Sequence, residues 1–165
     1  MKTLYLIRHA KSSWDFPELS DSERPLNKRG RKDAPMMAQL FEEREGIPDK
    51  LITSPAVRAL NTCIIFANQF KIDRSDIQVE RDIYEAYPST IIRLVQPFDE
   101  GWETACLFGH NPTFTDVANW FTTRMIPNVP TCGIIKIVSP VGKWADFSPD
   151  QGNLSAKYFP KDFKS

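Results

Sequence analysis

Short β-rich runs alternating with longer segments of helical period limit this chain to few architectures. Thr3–Ile7 is an aliphatic and aromatic run that stops abruptly at Arg8-His9. A polar, proline-containing loop, Ala10–Leu26, leads to a helix over about Asn27–Glu45, with Met36, Met37, Leu40 and Phe41 at helical spacing. Pro35 within that span predicts either a helix beginning near Asp33 or a kink. Lys50–Thr53 is a second strand, and Ser54-Pro55 reads as N-cap and first residue of a helix reaching about Phe70. Ile77–Val79 is a third strand, followed by a short helix through Ile91, Ile92, Leu94 and Val95. Thr104–Phe108 is a fourth, ending at Gly109-His110, and Asn111-Pro112 opens a helix carrying Phe114, Val117, Ala118 and Phe121. Thr131–Val138 is a fifth strand, expected to pair with Lys143–Phe147 across Gly142, while Asn153–Ser165 reads as mixed and partly frayed. Such alternation predicts an α/β three-layer sandwich around a mainly parallel central sheet, with the last strands forming an antiparallel edge. With 165 residues the chain has the length of one domain, spanning 1–165.

Charge narrows the function classes. Lys+Arg and Asp+Glu are balanced at 21 each, so no global field points to nucleic acid or an anionic membrane, and any anion site must be local. Arg8 interrupts the first apolar run, and no stretch approaches the ~20 apolar residues of a membrane span, which predicts a cytoplasmic protein. Cys63, Cys106 and Cys132 are widely spaced among aliphatic residues and form neither a CxxC pair nor a metal-ligand pattern. They are expected to be buried free thiols, and no metal or other cofactor is implied. No arginine follows any of them at the spacing of a thiol-phosphatase loop, and there is neither a Walker A sequence nor a G-x-S-x-G elbow.

The chain has two histidines, and both stand where a strand ends: His9 after the first and His110 after the fourth. In open α/β sheets, ligands bind at the carboxyl ends of the strands. Arg58, early in the helix after the second strand, and Glu85, after the third, occupy equivalent places. A cation near a helix N-terminus opposes the macrodipole unless an anion binds there. Two imidazoles and the guanidinia of Arg8 and Arg58 on one rim would suit a dianionic phosphoryl group, since a guanidinium fork binds two oxygens at once.

These same residues carry a family likeness. "LIRHAKSSW" resembles the Arg-His-Gly signature of the histidine phosphatase superfamily, with its phosphoglycerate-mutase-like fold; Ala10 stands here where glycine is commoner. "RPLNKRGRKDA", "TSPAVRALNT" and "LFGHNPTFTDVANWF" resemble its later blocks, in family order between Leu4 and Phe121. The Arg-His-Ala-Lys-Ser and Gly-His-Asn-Pro wording is similar to the SixA-type phosphohistidine phosphatase branch. The resemblance implies that His9 attacks phosphorus and forms a phosphohistidine intermediate that water hydrolyses. It implies further that Arg8 and Arg58 hold phosphoryl oxygens, that His110 donates to developing charge, and that Glu85 protonates the leaving group and then deprotonates water. SixA-type members do not always keep that acid, and Asp15 is the reserve candidate.

Lys11 and Ser12 are candidates for the phosphate rim, with a solvated loop as the plain alternative; Trp14 and Phe16 could border the pocket. Trp120 is expected in the core, and Arg29, Arg31 and Lys32 on an exposed helix face. Only about twenty residues separate the third strand region from the fourth, too few for a large lid, so a side chain presented by another protein could enter. The resemblance, with which this open site is consistent, implies a phosphohistidine-bearing protein as the partner. A small phosphomonoester substrate is the alternative within enzymes, and a non-catalytic phosphate-binding or partner-docking domain the alternative outside them. Oligomeric state is open.

Overall fold

The computed structural model describes residues 1–164, so Ser165, the end of the stretch read as frayed, lies outside the described residues. The main elements are β1 (Lys2–Arg8), α1 (Lys28–Glu45), β2 (Lys50–Thr53), α2 (Val57–Phe70), β3 (Gln78–Val79) and α3 (Pro88–Val95). They continue with β4 (Thr104–Gly109), α4 (Thr113–Trp120), β5 (Ile134–Ser139) and β6 (Asn153–Tyr158). Among the described residues the strands form one sheet in the order β3-β2-β4-β1-β5-β6. β3, β2, β4 and β1 are parallel neighbours, whereas β5 runs antiparallel to both β1 and β6.

Alternation along the strands divides the core into two layers, because successive side chains leave opposite faces of a sheet. Leu4, Leu6, Ala105, Leu107 and Ile52 pack with α3 and α4 through Ile91, Val95, Phe114 and Val117. Tyr5, Ile7, Cys106, Phe108 and Leu51 pack on the other face with Met37 and Phe41 of α1 and Cys63 and Phe66 of α2. All three cysteines are free and buried, and burial pushes their thiols above the ordinary range.

Several sequence expectations need correcting. Lys143–Phe147 is not a strand but a tight turn around Trp144–Asp146. Trp144 and Phe147, three apart, both enter the core, which one face of a strand would not allow. The sheet edge is instead β6, drawn from the segment read as frayed. Its apolar positions Leu154, Ala156 and Tyr158 alternate with Asn, Ser and Lys, a weak signal in sequence. α1 begins at Lys28, capped by Asn27 Oδ1, which accepts from the Gly30 N–H at 2.8 Å, so it does not start near Asp33. Pro35 lies inside α1 on its solvent side, where the carbonyl left without its helical partner can meet water. α2 starts at Val57, later than the Ser54-Pro55 signal, and Ser54 is released for another task. Trp120 is 45% exposed, because it shares the outer face of α4 with Asp116 while Phe121 takes the core position.

Glu45, at the end of α1, ties that helix to the sheet. It accepts from Tyr5 Oη at 2.9 Å and Tyr158 Oη at 2.6 Å, and pairs with Lys136 Nζ at 2.7 Å. Burial alone would raise its pKa, but Lys136 and the two tyrosines outweigh it and hold the carboxyl below the usual range. Its stabilising contribution is therefore full above the unfolded value and fades as pH falls through the folded one. Glu45→Gln is expected to cost about 3 kcal/mol at pH 7. The variant should also show a shallower loss of stability in acid, checked by chemical denaturation across pH 3 to 7.

Candidate active site

β1 and β4 are hydrogen-bonded neighbours in parallel register, with Arg8 opposite Gly109. The chain leaves both strands at the same level, and His9 N–H donates to the Gly109 carbonyl at 2.9 Å. The two imidazole centroids are consequently 5.3 Å apart. Gly109 is required by close approach, since a Cβ there would lie 2.5 Å from the Phe114 ring and 2.8 Å from Ile83.

A pocket of about 220 Å³ opens over these rings, lined by Arg8, His9, Lys11, Ser12, Arg58 and His110. The structure thus gathers six of the seven residues nominated from sequence. Arg24, Trp14, Asn111 and Thr131 complete the wall. Four cationic side chains line it and no carboxylate does.

His9 is 7% exposed, and its Nδ1–H donates to the Ala10 carbonyl at 2.7 Å, which leaves the lone pair on Nε2. The turn behind it is pinned to α2 by Thr62, whose Oγ1 accepts from Ala10 N–H at 2.9 Å and donates to the Arg58 carbonyl at 2.7 Å. Burial is the main cause that lowers the His9 pKa to about 3, with His110, Arg58 and Arg8 adding to it against the Ala10 carbonyl. Burial and Arg58 likewise lower His110 to about 4.

His110 Nε2 lies 2.8 Å from Ser54 Oγ, which also accepts from the Ala56 N–H at 3.2 Å. With that lone pair engaged, the Ser54 hydroxyl is free to donate to Nε2, which places the ring proton on Nδ1. Nδ1 is buried without a partner, so it is a donor in reserve. Ser54 thus serves the second histidine rather than the helix end.

Arg8 Nη1 donates to the Val129 carbonyl at 3.0 Å, which fixes the guanidinium while its Nε stays buried and unpartnered. Arg58 donates through Nη1 to the Asp21 carbonyl at 2.7 Å and through Nη2 to Asp21 Oδ2 at 2.9 Å. Arg24 is a third guanidinium, 8% exposed, that the sequence reading missed. It donates to Ser12 Oγ at 2.7 Å and to Asp21 Oδ1 at 3.2 Å, and lies 3.6 Å from the Trp14 ring centroid. Asp21 also accepts from Tyr84 Oη at 2.6 Å. That bond is the largest cause holding Asp21 at about pKa 2, with Arg58 and Arg24 adding to it, so it stays ionised and is no proton donor near neutrality. Neither Asp21 nor Arg24 sits at a strand end or in an apolar rhythm, which is why the sequence did not single them out; the "RPLN" wording was the one available hint.

Glu85 is exposed, has a left-handed backbone (φ 56°), and lies outside the pocket over the imidazoles. It lines an adjoining one of about 390 Å³ that shares Arg58, His110 and Asn111. Asp15 faces a separate pocket beside Lys28 and Lys164, so it is not the reserve acid at this site. Trp14 borders the pocket over the imidazoles, whereas Phe16 does not. Arg29, Arg31 and Lys32 are exposed as expected. Among the described residues no group of three or more His, Cys, Asp or Glu is placed to hold a metal ion.

The loop bearing Lys11 and Ser12 rests on the start of α1. Lys11 accepts from Asn27 N–H at 2.9 Å, and a Cβ on Gly30 would lie 2.2 Å from the Lys11 carbonyl oxygen. Only glycine fits there, so the "RPLNKRG" stretch seats the loop that carries Lys11 and Ser12.

A family model described as histidine phosphatase superfamily (branch 1) matches residues 4–88. The chain belongs to the histidine phosphatase superfamily. Its enzyme class is that of a phosphatase hydrolase. Among solved structures, the protein histidine phosphatase SixA complexed with tungstate is similar at TM-score 0.83 and 19% identity, covering 98% of this chain and 99% of that one. A protein assigned as phosphohistidine phosphatase SixA from Agrobacterium tumefaciens is similar at TM-score 0.79 and 26% identity, covering 95% and 97%. A mycobacterial glucosyl-3-phosphoglycerate phosphatase is similar at TM-score 0.69 and 11% identity, covering 94% and 98%. The phosphoglycerate-mutase-like α/β fold expected from sequence is thus the one observed.

The neutral state of both rings is directly testable. NMR titration should show His9 and His110 neutral from pH 8 down to 5, protonating only near pH 3 and 4. Because both folded values lie below the unfolded one, their contribution to stability is full above about pH 6.5 and erodes as pH falls toward 4.

Proposed function

We propose that this chain is a metal-independent phosphohistidine phosphatase working through His9. The observation that carries the reading is a neutral imidazole with its Nε2 lone pair free, set in a pocket with four cations and no carboxylate. That combination suits attack on a dianionic phosphoryl group, because the clamp supplies the positive charge a metal would otherwise bring. Arg8, Arg24 and Arg58 hold phosphoryl oxygens, Lys11 and Ser12 complete the rim, and His110 donates from Nδ1.

In the first step the His9 Nε2 lone pair forms a bond to phosphorus as the bond to the substrate nitrogen breaks. The substrate ring, protonated on its other nitrogen, takes the electron pair and leaves as neutral imidazole. Water then attacks phosphohistidine-9, gives a proton to Glu85, and releases phosphate with His9 restored. An imidazole with a free pKa of about 6.5 needs little acid assistance in leaving, which suits an exposed Glu85 at the rim. The segment between β3 and β4 contains α3 and adds no covering domain, so a protein-borne side chain has access. The likeness to the SixA structures points the same way. Among the described residues no helix is long and apolar enough to cross a membrane, which is compatible with a cytoplasmic setting, as are the reduced thiols.

A second reading, a small-molecule phosphomonoesterase, is favoured by the modest size of the phosphate pocket and the likeness to the glucosyl-3-phosphoglycerate phosphatase. The deciding assay follows hydrolysis of a phosphohistidine-bearing protein and a phosphoserine peptide in EDTA, with wild type and His9→Ala. Wild type should clear phosphohistidine and spare the ester, and His9→Ala should lose at least ~10³-fold of kcat/KM. Equal attack on the ester would select the second reading. No turnover of either by folded protein would select a binding domain.

A further inference from the structure

The site has two compartments of opposite charge. The pocket over His9 is lined by Arg8, Lys11, Arg24 and Arg58 without an acid. The adjoining pocket carries the carboxylates of Asp21, Glu85 and Asp116, and its one cation, Arg58, is already paired with Asp21. Glu85 and Asp116 are exposed and, among the described residues, have no ion-pair partner. Tyr84 and Tyr87 border the same space, and Tyr87 is 76% exposed.

A second feature marks this space as a binding site. Arg58 and His110, 6% and 9% exposed, line both compartments, and Arg58 Nε and His110 Nδ1 are buried without partners. Because the two compartments share Arg58, His110 and Asn111, the acidic one is the adjoining space open to the rest of a molecule whose phosphoryl group sits over His9.

We infer that the compartment of Glu85, Tyr87 and Asp116 is the leaving-group subsite, selecting a polypeptide whose phosphohistidine is flanked by Lys or Arg. The two carboxylates attract basic side chains, and an exposed tyrosine face adds a cation–π contact. The same field favours the substrate ring in its protonated form, the form that departs as neutral imidazole. Anionic phosphomonoesters of the phosphoglycerate kind meet repulsion in this compartment.

The inference rests on the proposed phosphohistidine activity, so its test separates the two. Four substrates are compared: p-nitrophenyl phosphate, free phosphohistidine, and phosphohistidine peptides flanked by arginine or by glutamate. With wild type, kcat/KM for the arginine peptide should exceed that for the glutamate peptide about fivefold or more. Asp116→Lys should abolish or reverse this ratio, and Asp116→Asn should reduce it. Tyr87→Ala should lower the arginine peptide selectively. All three should keep the wild-type circular dichroism and thermal unfolding midpoint, which separates a subsite effect from misfolding. A ratio of one in wild type, or one that Asp116→Lys leaves intact, overturns the subsite while the phosphohistidine activity stands. Failure to hydrolyse any phosphohistidine substrate, with p-nitrophenyl phosphate still cleaved, overturns the activity itself and the subsite with it.

Discussion

The parallel pairing of β1 with β4 is the constraint on which the site depends. Two strands far apart in sequence become neighbours, and their register brings Arg8 level with Gly109. One residue later each chain carries its histidine into the same space. A slip of one residue would turn Leu4 and Leu6 out of one core layer and Tyr5 and Ile7 out of the other. The spacing of the imidazoles is therefore enforced by hydrophobic burial beneath them. The buried sheet also supplies the low-polarity floor that keeps both rings neutral among guanidinia.

The flanking elements place their side chains through backbone contacts. Val129 holds Arg8, Thr62 locks the turn after His9 onto α2, and Gly30 lets Lys11 lie directly on α1. Each of these contacts fixes one side chain or turn at the rim of the pocket. Ser54 uses a lone pair on the Ala56 N–H and keeps its proton for His110. Such double duty lets an irregular rim stay ordered.

How much of this was legible in sequence follows from the physics of each element. β1, β2 and β4 carry unbroken apolar runs, and α1, α2 and α4 have wide apolar faces, so element type and order could be read directly. The catalytic candidates His9, Arg8, Arg58 and His110 were found because strand ends in α/β sheets converge. β6 escaped because an edge strand with one polar face has little hydrophobic signal, and Trp144–Asp146 was misread because aromatic residues suit both strands and buried turns. Ser54 looked like a helix cap because Ser-Pro ordinarily is one. Asp21 and Arg24 lie in a loop whose path is set by tertiary contacts, and nothing local announces them.

Asp21 is where that loop meets the sheet. Its carboxylate binds Arg58, Arg24 and Tyr84 at once, yet its side chain is 51% exposed. Ion pairs open to water are screened as salt rises, whereas the backbone bonds that hold Arg8 are not. The three guanidinia thus answer differently to the medium: Arg8 is held by the Val129 carbonyl, while Arg24 and Arg58 add to their contacts with Ser12 Oγ and the Asp21 carbonyl an ion pair that ionic strength weakens. The solution around the protein thereby tunes how tightly the loop carrying Asp21 and Arg24 is held against the pocket over the imidazoles.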